Sequence, residues 1–448
     1  KYRFLNNPGS YVGPWRNDLN PPLVKPMEAL TSLEHRAMVF VGPAQSGKTE
    51  MALSWVNYSV TCDPVDMMIV DKRQKDARDF YQRRLSKLYR TTAAVRKRLM
   101  PGTKGETTFS SQFTNGMLLT LSWPTPTEFS GKPIGRLWMA DYDRYDENIG
   151  GEGGAFDLAR NRAKSFKSLG MVVAESSPSR PVTTQKWKAK TPHEAPPTTG
   201  ILELYNRGDR HMWYWPCVSC DVPFEPCFSK MRWNEDIADK LERAHDAWME
   251  CPHCQHRYRE VAQEDGTPGK SQMNQHGFWM ADGQTFDQET GEICGRPRRS
   301  DIASFWLKGP AAQFAEWPDM VAKYFDALEA FERTGDENPL MTTVNTEQAL
   351  PFMSKRIEAQ RLPEELMDRA ADIGERGTVP AGVRFLIGSV DVQPNRFECG
   401  VHGFGENGDM YVVDRFKIRK SKRLDEDGHP FALNTYSYVE DWQVLIEQ

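Results

Sequence analysis

The sequence predicts an α/β fold in which a parallel sheet carries helices on both faces. Between residues 37 and 174, short apolar runs typical of buried strands alternate with amphipathic stretches typical of helices, and such alternation is characteristic of a parallel sheet. A glycine-rich turn also joins the first apolar run directly to a helix-forming segment. A separate cysteine-rich module and the start of a second sheet are predicted further along the chain.

The apolar pattern places the elements of the first sheet in order. The predicted strands are Ala37–Val41, Met67–Val70, Leu118–Ser122, Leu137–Ala140 and Met171–Ala174. A helix is predicted over 48–60, directly after the glycine-rich turn, and a second over 76–98, because apolar residues recur there at helical spacing. Residues 301–335, which are rich in Ala, Phe and Trp, are also predicted to be helical.

A second sheet is predicted near the end of the sequence. Its strands are Val383–Val390, Phe397–Phe404 and Met410–Phe416. A linker with several Gly and Pro residues is predicted at 365–382, and residues 439–448 have the pattern of an amphipathic helix. Because the sequence opens on Lys1 and that helical pattern has no stop signal, we expect the natural protein to be longer.

Composition argues against several classes of protein. Of the 448 residues, 39% are hydrophobic and 27% charged, and the net charge is −5, which is typical of folded domains and not of a disordered chain. The sequence contains no apolar run of about 18 residues or more, so no membrane span is predicted. We also expect no secretory signal. Eight cysteines are too few for a secreted disulfide scaffold, which favours a reducing compartment.

Residues 42–49, Gly-Pro-Ala-Gln-Ser-Gly-Lys-Thr, match the phosphate-binding pattern G-x-x-x-x-G-K-[ST]. Backbone amides of such a loop face the phosphates, together with the N-terminus of the following helix. The lysine reaches the β- and γ-phosphates, and the last hydroxyl binds Mg²⁺. The predicted ATP-binding residues are Gly42, Gln45, Ser46, Gly47, Lys48 and Thr49.

Polar residues after two other strands are further candidates for this site. Asp141 directly follows a strand and is predicted to hold Mg²⁺ through water, and Asp143 lies two positions further on; a carboxylate is also needed to orient the attacking water. Ser176 and Ser177 follow a neighbouring strand and are candidates for coupling the γ-phosphate to movement. A plain Ser-Pro turn is an equally good interpretation of these serines.

Two Cys-x-x-Cys pairs predict a zinc site. They are Cys217 with Cys220 and Cys251 with Cys254, and two such pairs supply four thiolates for a tetrahedral ion. Four thiolates leave no open position at the metal, so the site is predicted to be structural. A redox dithiol is the less favoured alternative.

Residues 71–98 carry 11 basic and three acidic side chains. Such a surface is a candidate for contact with DNA phosphates or for donating an arginine to the ATP of a neighbouring subunit. A solvated surface is an equally good interpretation.

Two acids in the second sheet are weaker candidates. Asp391 and Asp414 each lie at the end of a predicted strand, and two-metal nucleases gather several carboxylates around their ions. An ordinary residue in a turn is the alternative for Asp391.

Together these residues resemble the large subunit of tailed-bacteriophage DNA-packaging terminases of the lambda type. The resemblance runs over nearly the whole chain and includes the phosphate-binding loop, both cysteine pairs and the segments Asp143-Arg-Tyr145, Ser176-Ser-Pro178, Ala303-Ser-Phe305, Val344-Asn-Thr346 and Val390-Asp391. The acidic motif of that family reads Asp-Glu-x-Asp-Arg-Tyr. Matching it on Asp143-Arg-Tyr145 places Ala140 and Asp141 on the acid pair, whereas matching it on the strand end places Asp141 and Tyr142 there. One acid is missing in either case.

The resemblance implies an ATPase motor joined to a ribonuclease-H-like endonuclease that is only partly contained in this sequence. Such a motor threads double-stranded DNA through the portal into a procapsid, and the nuclease cuts concatemeric DNA. The implied roles are ATP and Mg²⁺ binding by Lys48 and Thr49, catalysis by Asp141 or Asp143, and nuclease Mg²⁺ binding by Asp391 with Asp414. The implied partners are the terminase small subunit, the portal and further copies in a ring, in the host cytoplasm at the portal vertex and not in the mature virion.

Four domains are predicted: an ATPase motor with an N-terminal arm at 1–210, a zinc ribbon at 211–265, a helical and linker region that completes the ATPase at 266–382, and the start of the nuclease at 383–448. Two other functions fit part of the pattern, namely a P-loop helicase or repair ATPase with a zinc ribbon, and a module that binds ATP without hydrolysing it. The acid-tipped strand after residue 383 favours the terminase.

Overall fold

The fold is taken from a computed structural model that describes residues 3–7, 11–102, 105–131, 133–184, 187–354, 375–406 and 408–446. The chain forms two units, Lys1–Glu358 and Ala359–Gln448, and each has a sheet of its own. Residues 365–374 of the predicted linker lie outside the described residues.

The first unit contains strands β1–β17 and helices α1–α12. The strands are β1 (Phe4–Asn7), β2 (Tyr11–Pro14), β3 (Ala37–Val41), β4 (Met67–Val70), β5 (Ser110–Gln112), β6 (Leu118–Ser122), β7 (Arg136–Met139), β8 (Met171–Ser176), β9 (His211–Pro216), β10 (Pro223–Phe224), β11 (Met231–Arg232), β12 (Trp248–Glu250), β13 (Arg257–Tyr258), β14 (Phe278–Met280), β15 (Gln284–Phe286), β16 (Ile293–Gly295) and β17 (Ile302–Trp306). The helices are α1 (Val24–Ala29), α2 (Lys48–Thr61), α3 (Gln74–Phe80), α4 (Ser86–Thr91), α5 (Ala93–Arg96), α6 (Pro126–Phe129), α7 (Ala155–Ala163), α8 (Ile201–Arg207), α9 (Lys240–His245), α10 (Lys270–His276), α11 (Trp317–Thr334) and α12 (Asn338–Thr342).

A ten-stranded sheet lies at the centre of this unit, in the order β10-β9-β17-β3-β8-β7-β4-β6-β5 with β14 paired to β9. The pairs from β9 to β6 are parallel, and the outer strands β10, β14 and β5 are antiparallel. The prediction of a parallel sheet, with its five strands, is confirmed.

Helices cover both faces of the sheet, as predicted. Alternate residues of the central strands point to opposite faces, and two hydrophobic cores result. One contains α2 with Met38 and Phe40 of β3; the other contains α7 and α8 with Val39 and Val41. The carboxyl ends of β3, β8 and β7 therefore lie side by side at one edge, where parallel α/β sheets bind ligands.

Two predicted elements differ from the structure. Residues Ile302–Trp306 form the central strand β17 and not a helix, because all five are buried and pair in parallel with β3; the helix α11 begins only at Trp317. The predicted helix at 76–98 is divided by a π-helical turn at Tyr81–Leu85 and by extended backbone at Thr92. In addition, the first residues of the predicted zinc ribbon form β9 of the main sheet.

The second unit contains β18 (Val383–Gln393), β19 (Arg396–Gly405), β20 (Met410–Ile418), β21 (Lys420–Leu424) and β22 (Pro430–Ala432). The first three form the predicted antiparallel sheet, and the last two form a hairpin. Phe397, Leu433 and Val444 form a small core. The predicted terminal helix is a 3₁₀ helix at Val439–Leu445, and residues 447–448 lie outside the described ones. Throughout the described part of the chain, no helix has both the length and the apolar character that crossing a membrane requires.

Candidate nucleotide and metal sites

The phosphate-binding loop lies where the sequence predicts it, between β3 and α2. Gln45 and Gly47 adopt positive φ values of 57° and 89°, which turn the chain back toward the start of α2. A Cβ atom on Gly42 would lie 2.8 Å from the Phe40 ring, so only glycine fits there without displacing the core. The loop conformation thus depends on the two glycines that the pattern specifies.

Lys48 is held in position by the loop that it follows. Its Nζ donates to the carbonyl oxygens of Gly42 at 3.1 Å and Pro43 at 2.6 Å. Nζ also lies 3.5 Å from the Ser177 hydroxyl, which itself donates to the carbonyl of Gly42 at 2.9 Å. Burial lowers the pKa of Lys48, and the negative charge of Glu175 opposes this effect. The ammonium group and the serine at the end of β8 therefore form one polar cluster.

A cavity of about 940 Å³ opens at this edge of the sheet. The predicted residues that line it are Gln45, Ser46, Gly47, Lys48, Thr49, Asp141, Ser176 and Ser177. The loop backbone is fixed from outside the motif, since Asn20 Nδ2 donates to the Ser46 carbonyl at 3.0 Å and the Ala44 amide donates to the Thr346 carbonyl at 2.7 Å. Segments distant in the sequence thus form the walls.

Asp141 and Asp143 occupy different environments. Asp141 has a φ of 52°, is half exposed and lies 3.4 Å from Lys72 Nζ. Asp143 is buried, and its two carboxylate oxygens accept the amides of Ile201 at 2.6 Å and Ser179 at 2.7 Å. Burial raises the pKa of Asp143, and these amides oppose the shift. Asp141 faces the nucleotide cavity, whereas Asp143 fixes the loops around it.

Glu175 also lines the cavity, although the sequence analysis did not select it. It precedes Ser176 on β8, and only 2% of its surface is exposed. Burial raises its pKa to about 7, against the opposing effect of Lys48. The signal in the sequence was a charged residue at the end of an otherwise apolar strand, which seldom occurs in a core unless the charge has a partner.

The four predicted cysteine ligands come together. Their sulfur atoms all lie within 4.8 Å of one another, with 3.6 Å between Cys217 and Cys254 and 3.9 Å between Cys220 and Cys251. A tetrahedral ion with bonds of about 2.3 Å places its sulfur ligands about 3.8 Å apart. The cluster therefore has the dimensions of a zinc site.

Two short hairpins position these thiols. Cys217 and Cys220 lie between β9 and β10, and Cys251 and Cys254 lie between β12 and β13. Each turn contains a residue with positive φ, Asp221 at 57° and Gln255 at 63°. The amide of that residue donates to the carbonyl of the first cysteine of the pair, Cys217 or Cys251, at 2.9 Å. The hydroxyl of Tyr258 donates to Cys217 Sγ at 3.1 Å. The two turns thus repeat one geometry around a common centre.

In the second unit, Asp391 and Asp414 line one cavity of about 640 Å³. Gln393 donates to Asp391 at 2.7 Å. Arg376 pairs with Asp414, and the hydrogen bond between them lowers the pKa of that acid. Among the described residues, neither acid belongs to a group of three potential ligands; besides the cysteines, such a group is formed only by the exposed residues Asp425, Asp427 and His429.

Part of the basic segment 71–98 reaches the nucleotide cavity. Lys72, Arg84 and Lys87 line it, and Arg84 lies 3.4 Å from Glu50 at the start of α2. The segment therefore contributes cations to the cavity as well as to the surface.

Comparison with known families decides the assignment. Residues 9–279 match the model described as phage terminase large subunit gpA, ATPase domain, and residues 302–445 match terminase large subunit gpA, endonuclease domain. The chain belongs to the phage terminase large subunit gpA family. The resemblance inferred from the sequence is confirmed, and the gpA assignment places the phosphate-binding loop and the cysteine cluster in the ATPase match. Strand β17 falls within the endonuclease match, yet it pairs with β3 of the ATPase sheet.

The relatives of this gpA chain are distant. The terminase large subunit of Enterobacteria phage P21 is 29% identical over 168 residues, which are 37% of this chain and 24% of that protein. The matched segment therefore spans about a quarter of the relative.

Among solved structures, the HK97 bacteriophage large terminase has a TM-score of 0.40 at 9% identity and covers 93% of this chain and 65% of its own. The Thermus phage P74-26 large terminase ATPase domain has a TM-score of 0.33 at 12% identity and covers 74% and 99%. The family membership follows from the two family matches alone.

Proposed function

We propose that this chain hydrolyses ATP to move double-stranded DNA into a procapsid through the portal, and that its second unit belongs to an endonuclease that cuts concatemeric DNA. The observation that carries the proposal is the position of Lys48. It lies buried at the carboxyl edge of a parallel sheet, held by its own phosphate-binding loop and by Ser177, which directly follows the neighbouring strand β8. The gpA family membership supplies the biological context.

In the proposed reaction, Lys48 and the amides of the loop bind the β- and γ-phosphates, and Thr49 with an acid of the cavity binds Mg²⁺. A Mg²⁺ ion held there would neutralise charge on the phosphate oxygens. Ser177 contacts both Lys48 and the Gly42 carbonyl, so a change at the γ-phosphate alters the hydrogen bonds at the end of β8. Ser176 and Ser177 are therefore the proposed coupling residues, and Asp141 remains the acid that the sequence predicts to hold Mg²⁺ through water.

We further propose Zn²⁺ as the ion of the cysteine cluster. The spacing of the four sulfur atoms supports it, and a closed set of four thiolates gives the ion a structural role. For the endonuclease, Asp391 and Asp414 remain the proposed Mg²⁺ ligands, because they share one cavity. DNA, the terminase small subunit, the portal and a ring of further copies are the proposed partners, at the portal vertex in the host cytoplasm.

The ATPase proposal is tested by Lys48→Ala. Loss of the phosphate-binding ammonium group is expected to reduce DNA-stimulated ATP turnover roughly 100-fold, measured as phosphate release with and without duplex DNA. Lys323→Ala, at an exposed position on α11, is the matched control and should keep the turnover of the parent. Equal turnover by Lys48→Ala and the parent would remove the motor function.

A further inference from the structure

One carboxylate of the nucleotide cavity, that of Glu175, has no role in the function proposed above. Strand β8 lies between β3, which leads into the phosphate-binding loop, and β7, which leads to Asp141. Glu175 pairs with Phe40 of β3. On the side of β7, the last paired residues are Met139 and Ala174. The next residue after each of them is Ala140 and Glu175, so these two lie side by side.

The alternation of side chains shows which way this position faces. Residues paired in register on neighbouring strands point to the same face of a sheet. Phe40 and Ala140 belong to the core on the α2 face, whereas Met139 and Ala174 belong to the opposite core. Glu175 therefore points toward α2 and Lys48. On that face the end of β7 carries only the methyl group of Ala140, and the carboxylate beside it comes from β8.

The surroundings of Glu175 leave one of its two carboxylate oxygens without a hydrogen bond among the described residues. The charge of Lys48 and the backbone of Asp141 both favour the charged form of the carboxylate, against the effect of burial. Among the described residues, no hydrogen-bond partner reaches Oε2. A buried carboxylate oxygen without a partner is costly, which indicates that a ligand of the cavity supplies the contact.

We propose that Glu175 is the carboxylate that holds the Mg²⁺ of bound ATP, in place of an acid at position 140. This inference rests on the proposed ATPase function. The alternatives fit less well: Asp143 uses both oxygens on backbone amides, and Asp141 is half exposed and paired with Lys72. Thr49 lines the same cavity as Glu175, and hydroxyl and carboxylate oxygens are ligands that Mg²⁺ prefers.

Equilibrium binding of mant-labelled AMP-PNP, with excess Mg²⁺ or with EDTA, tests this role without any turnover. The parent is expected to bind more tightly with Mg²⁺. Glu175→Gln should reduce that Mg²⁺-dependent gain roughly 10- to 100-fold and leave the affinity in EDTA nearly unchanged. Glu152→Gln, in an exposed loop, is the control. The double variant Ala140→Asp, Glu175→Ala moves the carboxylate to the adjacent strand and should restore the gain.

The outcomes separate the alternatives. Loss of the Mg²⁺-dependent gain in Glu175→Gln, with recovery in the double variant, supports the proposal. A Mg²⁺-dependent gain in affinity that is unchanged in Glu175→Gln overturns the proposal. If this variant keeps the gain but loses ATP hydrolysis, the proposal is also overturned, because Glu175 would then act on the attacking water. A parent that binds no nucleotide under either condition would overturn the proposed ATPase function itself. Thermal melting of each variant shows whether the fold is intact.

Discussion

Asp209 connects two histidines to the central strand β17. Its Oδ1 accepts the amide of Ser304 at 2.8 Å and lies 2.9 Å from His211 Nδ1, and its Oδ2 lies 3.5 Å from His35 Nε2. Burial by itself would raise the pKa of Asp209, but hydrogen bonds with His211 and His35 outweigh it and hold the pKa at about 2. The carboxylate therefore stabilises the fold.

Asp209→Asn is expected to lower the free energy of unfolding by about 2 kcal/mol at pH 5, which corresponds to a pKa held almost two units below its unfolded value. Because the folded pKa is the lower one, this stabilisation is complete above about pH 4 and is lost as the pH falls toward about 2. Urea unfolding at pH 5 and pH 3 measures the effect, and the deficit should be smaller at pH 3. Asp236→Asn, at an exposed position, is the control, and an equal deficit at both pH values would contradict this account.

Residues in contiguous motifs could be predicted from the sequence, and those defined by strand register could not. The phosphate-binding loop and the cysteine pairs are short patterns in which spacing alone fixes the chemistry, so Lys48 and Cys217 were found directly. Glu175 acquires its position only when β8 lies beside β7 and Ala140. The role of Asp143 depends in the same way on the distant amides of Ser179 and Ile201.

At the scale of elements, β17 shows the limit of apolar patterns. The run Ile302–Trp306 is too short to separate a buried strand from a helical segment, and the long amphipathic helix that follows made helix the simpler prediction. Only the pairing with β3 and β9 identifies it as a strand. The same limit applies to His211–Pro216, whose place in the main sheet cannot be read from the cysteines that follow it.

The cysteine hairpins are joined to the main sheet through β9, but their strands β10–β13 have few residues each. Elements this short would depend on the proposed zinc ion for their order. Removal of Zn²⁺ by a chelator, with Mg²⁺ replenished, is expected to increase hydrogen exchange around the four cysteines while mant-AMP-PNP still binds. Hydrogen-exchange mass spectrometry measures the first effect, and fluorescence titration the second.

A matched pair of variants gives the same test without a chelator. Cys251→Ser removes one of the four sulfur ligands and should lower the zinc content and loosen the hairpins. Cys294→Ser changes an exposed cysteine on β16, outside the cluster, and should alter neither. Loss of nucleotide binding in Cys251→Ser would show instead that the hairpins support the ATP cavity.

At the scale of the whole molecule, the two units differ in how completely they enclose their acids. The first unit buries Glu175 on the α2 face of its sheet. In the second, β18 is largely exposed along its length, and Phe385, Leu386 and Ile387 are each about half exposed. Apolar faces of this kind normally pack against further elements. Asp391, which lies on this strand, is accordingly exposed, whereas Glu175 is buried.

The nucleotide cavity should therefore function within the first unit alone. Its lining residues in the described part of the chain lie between Leu5 and Thr346, and the sheet and both cores that support it end with residues of the same unit. A chain that stops at residue 354 is expected to fold and to bind mant-AMP-PNP with Mg²⁺ within about twofold of the full chain, a difference of less than 0.5 kcal/mol. The same truncation carrying Lys48→Ala is the control and should bind weakly. A folded truncated chain with tenfold weaker binding would mean that residues of the second unit complete the ATP site.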